Sequence, residues 1–275
     1  MRLPLVCLFA VLSLGLASAV QAADDAPPPQ VEVWPLLQTG AVGSSLFLQD
    51  RAAARATDAL LARFGGKTPE GLTGWIAVEE GEDYLIRFLV GDLDAPRPGY
   101  DVIVDKAGRA SAVIETLGAD LSEDHLTRFR ARNAAASNIG ALRCAARYNA
   151  VVLDDPDSDG WLVWLLASTT DANKVPMGGH YRFHVSPDGR TVEKREQLSG
   201  GCLDIDRSQS GQDGQPVGLM TNVIVAPQPL EVHVFLSLLN RLPIYVMAGD
   251  KLWSVQGALI REVDAPPRQS GRRRR

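Results

Sequence analysis

The sequence predicts an α+β fold dominated by antiparallel sheet, and three observations carry that reading. Short β-rich runs alternate with Gly, Asp and Pro turns along much of the chain; two stretches have helical spacing instead; and Gly178–Gln197 has the pattern of a hairpin. In that hairpin Tyr181, Phe183 and Val185 alternate with His180, Arg182 and His184, which sends the two sets to opposite faces of a strand. The first set predicts a face on the core and the second a solvated face. Ser186-Pro187-Asp188-Gly189 supplies the reversal: Pro presets φ, Asp bonds nearby amides and Gly accepts positive φ. The charged return arm, Arg190–Gln197, suits a protected sheet edge.

Taken in order, Arg2, the apolar run Leu3–Leu16 and the small residues up to Ala22 read as a secretory signal peptide, residues 1–22, with the mature chain starting at Ala23. The run is short for a membrane span, and no comparable run follows, so no transmembrane span is expected after cleavage. The implied location is periplasmic or secreted. Residues 23–32, with Asp24, Asp25 and three consecutive prolines, read as an extended lead, with order beginning near Val33.

The globular region is expected over 33–263. Asp50 is placed to cap a first helix near 50–64, carrying Ala53, Ala56, Leu60 and Phe64 on one stripe and ended by Gly65-Gly66. Strands follow at Trp75–Val78, Tyr84–Val90, Tyr100–Val104 and Ser111–Thr116. A second helix near 122–137 has Ser122 as its cap and Glu123 and Asp124 in its first turn. Strands at Tyr148–Leu153 and Trp161–Leu166 lead into the hairpin. After a polar loop, Ser199–Pro216, apolar runs return at Val223–Val225, Val232–Leu239, Ile244–Met247, Trp253–Val255 and Ala258–Val263; the second of these fits a strand or a helix. Residues 264–275, ending in Arg272–Arg275, read as a disordered basic tail.

A repeat is faintly legible. Gly74-Trp75 and Tyr100–Val104 are echoed by Gly160-Trp161 and Tyr181–Val185, as if two similar halves divided near 118, but few identities survive and chance matching explains the echo better.

Charge and cysteines bound the function. Residues 23–263 hold 22 basic and 32 acidic residues, a net of -10, which argues against nucleic acid as a partner. Cys7 leaves with the signal peptide, so Cys144 and Cys202 remain as a pair in an oxidising compartment and are expected to form a disulfide.

Three features bear on chemistry. Asp155-Pro156-Asp157-Ser158-Asp159-Gly160 matches the first half of a calcium loop, making Asp155, Asp157 and Asp159 the candidate metal ligands; Val163 and Leu166 stand where later ligands belong, so a surface turn is the preferred reading and no cofactor is expected. His180 and His184 share a face but stand roughly 13 Å apart at about 3.3 Å per residue, too far to hold one ion together; His233 could join one of them from a neighbouring element. Serine-hydrolase elbows, zinc-protease helices, phosphate loops and dinucleotide glycine patterns are all missing from the sequence, and no catalytic residue is singled out.

The stretch Gly178–Arg190, together with Glu231-Val232-His233-Val234-Phe235-Leu236, resembles uncharacterised exported proteins of Gram-negative bacteria over the C-terminal half. That resemblance implies export and an α+β fold; it implies no activity and transfers no functional residue. The expectation is a non-catalytic binding or interaction protein with an unknown protein or small-molecule partner. The alternatives are a hydrolase with a site assembled from dispersed residues and a calcium-stabilised surface module.

Overall fold

The computed structural model describes residues 30–140, 143–207 and 218–264; the expected signal peptide and nearly all of the expected basic tail lie outside them. Three helices and four sheets are described. Helix α1 (Leu36–Arg63) leads into β1 (Leu72–Glu80), β2 (Asp83–Gly91), β3 (Pro96–Val104) and β4 (Ile114–Glu115), which form one antiparallel sheet in that order. Helix α2 (Glu123–Ser137) leads into β5 (Arg147–Asp154), β6 (Trp161–Ser168), β8 (Tyr181–Val185) and β9 (Val192–Gln197), a second antiparallel sheet. A short ribbon of β7 (Lys174–Pro176) and β10 (Asp204–Asp206) sits beside it, so the expected polar loop contains a strand. The last sheet orders β11 (Leu219–Val223), β12 (Ile244–Ala248), β13 (Lys251–Gln256) and β14 (Leu259–Val263), with helix α3 (Glu231–Asn240) between β11 and β12.

Helix followed by antiparallel meander thus occurs three times among the described residues. The two Gly-Trp pairs of the sequence echo occupy different places, since Gly74-Trp75 lies in the first strand of its sheet and Trp161 opens the second strand of its own. Tyr100–Val104 and Tyr181–Val185 both fall in third strands.

Helix α2 starts where its cap requires, with the His125 amide donating to Ser122 Oγ at 3.3 Å. Helix α1 begins fourteen residues before the expected start, so Asp50 is interior and accepts a bond from Asn149 Nδ2 (2.8 Å) instead of capping. The early part, with Gly40, Gly43, Ser44 and Ser45, is a poor helix former by propensity. Packing overrides that, because the glycines let α1 lie directly on α3 and the β13–β14 turn. A Cβ on Gly43 would stand 2.4 Å from Val234 Cβ, and one on Gly40 would stand 2.4 Å from the Ala258 carbonyl oxygen. Residues 232–239 are helical, and the crossover through α3 makes β11–β12 parallel, the one departure from antiparallel pairing among the named strand pairs.

The expected solvated face of β8 is a correction of consequence. Its sheet is covered on both sides. Ala131 and Ala135 of α2 pack on Val163, Tyr181, Phe183 and Val185, while Leu162, Trp164 and Leu166 of β6 face the largest core, shared with Trp34, α3 and β11–β13. His180 and Arg182 are therefore fully buried. Order also begins earlier than Val33: Val31 is buried and its amide donates to the Val225 carbonyl at 2.9 Å.

Cys144 and Cys202 form the expected disulfide, with Cα atoms 5.1 Å apart. It joins the segment before β5 to the segment after β9. Gly179 (φ 84°) leaves room for it, since a Cβ there would stand 2.3 Å from Cys144 Cβ.

Candidate functional site: a buried arginine centre and an adjoining apolar groove

Arg182 is the hub of the polar centre. The β6–β8–β9 register places Trp164, Arg182 and Glu196 side by side. Nε of Arg182 donates to Glu196 Oε2 (2.6 Å), one terminal nitrogen to Glu231 Oε1 of α3 (3.2 Å) and the other to the Glu32 carbonyl (2.7 Å). Trp164 Nε1 donates to the same Glu231 oxygen at 2.8 Å, and the guanidinium lies 4.2 Å from the Trp34 ring centroid. A buried charge is tolerated when paired and fully bonded, and the planar fork of arginine reaches three acceptors at once.

Glu196 is the shared anion of the centre. Its Oε1 accepts the Glu32 amide (2.7 Å) and lies 3.0 Å from Lys194 Nζ; its Oε2 lies 3.2 Å from His184 Nε2. Burial by itself would raise the Glu196 pKa, but bonds from His184 and Arg182 together with the arginine charge outweigh it, and the carboxyl is held well below the usual carboxylate range. For Arg182, burial opposes the charged form, and Glu231 and Glu196 reverse that.

The other histidines take structural places. His180 Nδ1 accepts the Ala167 amide (3.1 Å) and its Nε2 faces the Pro176 carbonyl (2.8 Å), an arrangement that fits the neutral ring protonated on Nε2. His233 Nδ1 accepts the Leu230 amide at the start of α3 (2.9 Å). Burial pushes both down to about 4, partly offset in each by a backbone bond. His180 also disfavours the charged form of His233.

The acidic loop is the β5–β6 turn. Asp155 closes it on itself, its carboxylate accepting the Asp157 amide (3.0 Å) and the Ser158 hydroxyl (3.0 Å), while Asp157 and Asp159 are exposed. Asp155 also faces His184, with Oδ2 3.6 Å from Nδ1. Among the described residues, the group of three His, Cys, Asp or Glu side chains whose ligand atoms all lie within 4.8 Å of one another is Glu32, His184 and Glu196, which contains none of the three loop aspartates.

Beside this centre runs a groove of about 220 Å³, walled by Gly178, the segment Leu198–Leu203 and the end of β11 with Ile224. The Cys144–Cys202 disulfide lies in one wall. Leu203 and Ile224 are exposed there, and β11, which carries the exposed Met220, is the outermost strand of its sheet among the described residues. Gly178 is required for the wall to close, because a Cβ would stand 2.3 Å from the Gly201 carbonyl oxygen.

Sequence reasoning singles out His184 and Asp155 but misses Glu32 and Glu196, which face His184, and Lys194 and Glu231, which pair with Glu196 and Arg182. The available signal is Arg182, a charge set between Tyr181 and Phe183 in a strand opposite a tryptophan-rich one.

No family model matches the chain, and no curated protein matches it. Among solved structures the chain is similar to the Bacillus megaterium YpeB C-terminal domain. The two are 11% identical, the match covers 64% of this chain and 70% of that one, and the TM-score is 0.19. That score is too low for the likeness to fix fold or activity. No helix among the described residues is long and apolar enough to cross a membrane.

Proposed function

We propose that the protein is exported and acts as a non-catalytic binding module whose partner segment lies in the groove beside β11. The groove itself carries the reading: exposed Leu203 and Ile224 line an apolar cleft next to the edge strand β11, the arrangement that extended segments use when they add to a sheet. The acid-base side chains nearby are occupied by one another, Glu196 and Glu231 by Arg182 and Glu32 by Lys194. The leader-like start of the chain and the disulfide both support an oxidising compartment.

The test is fluorescence anisotropy with a panel of labelled, extended apolar peptides. The wild-type protein is expected to bind members of the panel, and Leu203→Asp and Ile224→Asp to weaken binding at least tenfold. Leu117→Asp, at an exposed apolar position after β4, is expected to leave it unchanged. Absence of binding, or equal affinity in all three variants, contradicts the reading.

A further inference from the structure

The structure assigns a second site, independent of the groove: we propose that Glu32, His184 and Glu196 form a binding site for a divalent transition-metal ion of the zinc class, whose place the Lys194 ammonium occupies when the ion is absent. The donor set is one imidazole nitrogen and two carboxylates, which suits zinc and its neighbours better than calcium or magnesium. The spacing suits it too. Bonds of about 2.0 Å to a tetrahedral ion put ligand atoms about 3.3 Å apart, and His184 Nε2 stands 3.2 Å from Glu196 Oε2 and 3.8 Å from Glu32 Oε2.

Lys194 shows that this position attracts a cation. Its Nζ lies 3.2 Å from Glu32 Oε2 and 3.0 Å from Glu196 Oε1, bridging two of the proposed ligands. Its side chain is 49% exposed, so it can leave for solvent without disturbing the core. Arg182 stays, because it is fully buried and also bound to Glu231 and the Glu32 carbonyl.

Charge points the same way. Four carboxylates, Glu32, Asp155, Glu196 and Glu231, gather around His184 and two side-chain cations, Arg182 and Lys194. A dication replacing the lysine ammonium brings the cluster closer to neutrality. The acidic β5–β6 loop acquires a role here. Asp155, fixed by its own turn, faces Nδ1 of His184, leaving Nε2 directed at the two glutamates; a carboxylate behind a histidine ligand orients the ring and raises its basicity.

The experiment is calorimetric titration of the untagged protein with ZnCl2 after dialysis against chelator, with MgCl2 as the hard-cation comparison. One zinc per chain is expected, with no magnesium signal. His184→Ala and Glu32→Gln should each weaken zinc binding at least tenfold, Lys194→Met should strengthen it several-fold, and His125→Ala should leave it unchanged. Glu32 is partly exposed at the start of the described chain, so its variant reports on the site even where His184→Ala perturbs folding. Absence of zinc binding, or unchanged affinity in Glu32→Gln, overturns the proposal; so does a Lys194→Met variant that binds zinc more weakly.

Discussion

At the residue scale, two buried charges make opposite predictions. Arg182 is bonded on every side, so Arg182→Met leaves the buried Glu231 without its cation and Glu196 with Lys194 and His184 alone. The expected loss is about 3–5 kcal/mol in urea unfolding. Adding Glu196→Gln and Glu231→Gln should cost less than that loss suggests, because the stranded charges go too; a triple variant less stable than the single one contradicts this. Asp50 works the other way. Burial raises its pKa from 3.8 to about 6, with the Asn149 bond opposing. A carboxyl whose folded pKa is raised stabilises the fold fully below the unfolded pKa and loses that contribution as pH rises through about 6. Asp50→Asn keeps a partner for Asn149 and removes the buried charge. The variant should therefore gain on the wild type between pH 4 and 7, by on the order of 1–3 kcal/mol at the upper end, in melts recorded across that range. A constant difference over the range contradicts the assignment.

At the element scale, legibility followed local physics. The hairpin turn reads directly because each residue has a local reason to be there, and the Ser186 carbonyl accepts the Gly189 amide at 2.8 Å. Helix α2 reads from its cap. The first half of α1 does not, since Gly40 and Gly43 weaken it locally and serve a helix and a turn distant in sequence. The same holds for the inner face of β8: alternation separates Arg182 from Phe183 but cannot say that α3 and Trp34 cover the arginine's side. Gly43→Ala decides between propensity and packing. Alanine favours the helix by about 1 kcal/mol, yet its Cβ would collide with Val234 Cβ and stand 2.6 Å from the Glu231 carbonyl oxygen. Destabilisation of about 1–3 kcal/mol is expected in denaturant titration, and a stabilised variant would show that α1 and α3 are not in close contact.

At the scale of the whole molecule, the polar centre joins parts that are far apart in sequence. Arg182 ties the Glu32 backbone, β9 and α3 together, and the groove walls continue from two of these: Leu198–Leu203 follows β9, and Ile224 follows β11 just ahead of α3. This assembly is the least legible part of the chain, because Glu32, Glu196 and Glu231 look like ordinary surface acids until the sheet is closed on both faces. The α1–β4 unit makes no bond to Arg182, so the arginine should hold one region of the molecule and leave another alone. Native-state hydrogen exchange of Arg182→Met against wild type tests this most directly. The account predicts that amides of Val31–Glu32 and of β11 lose protection together while Trp75–Val78 in β1 keep theirs; unchanged protection at Val31–Glu32, or an equal loss throughout β1, would contradict it.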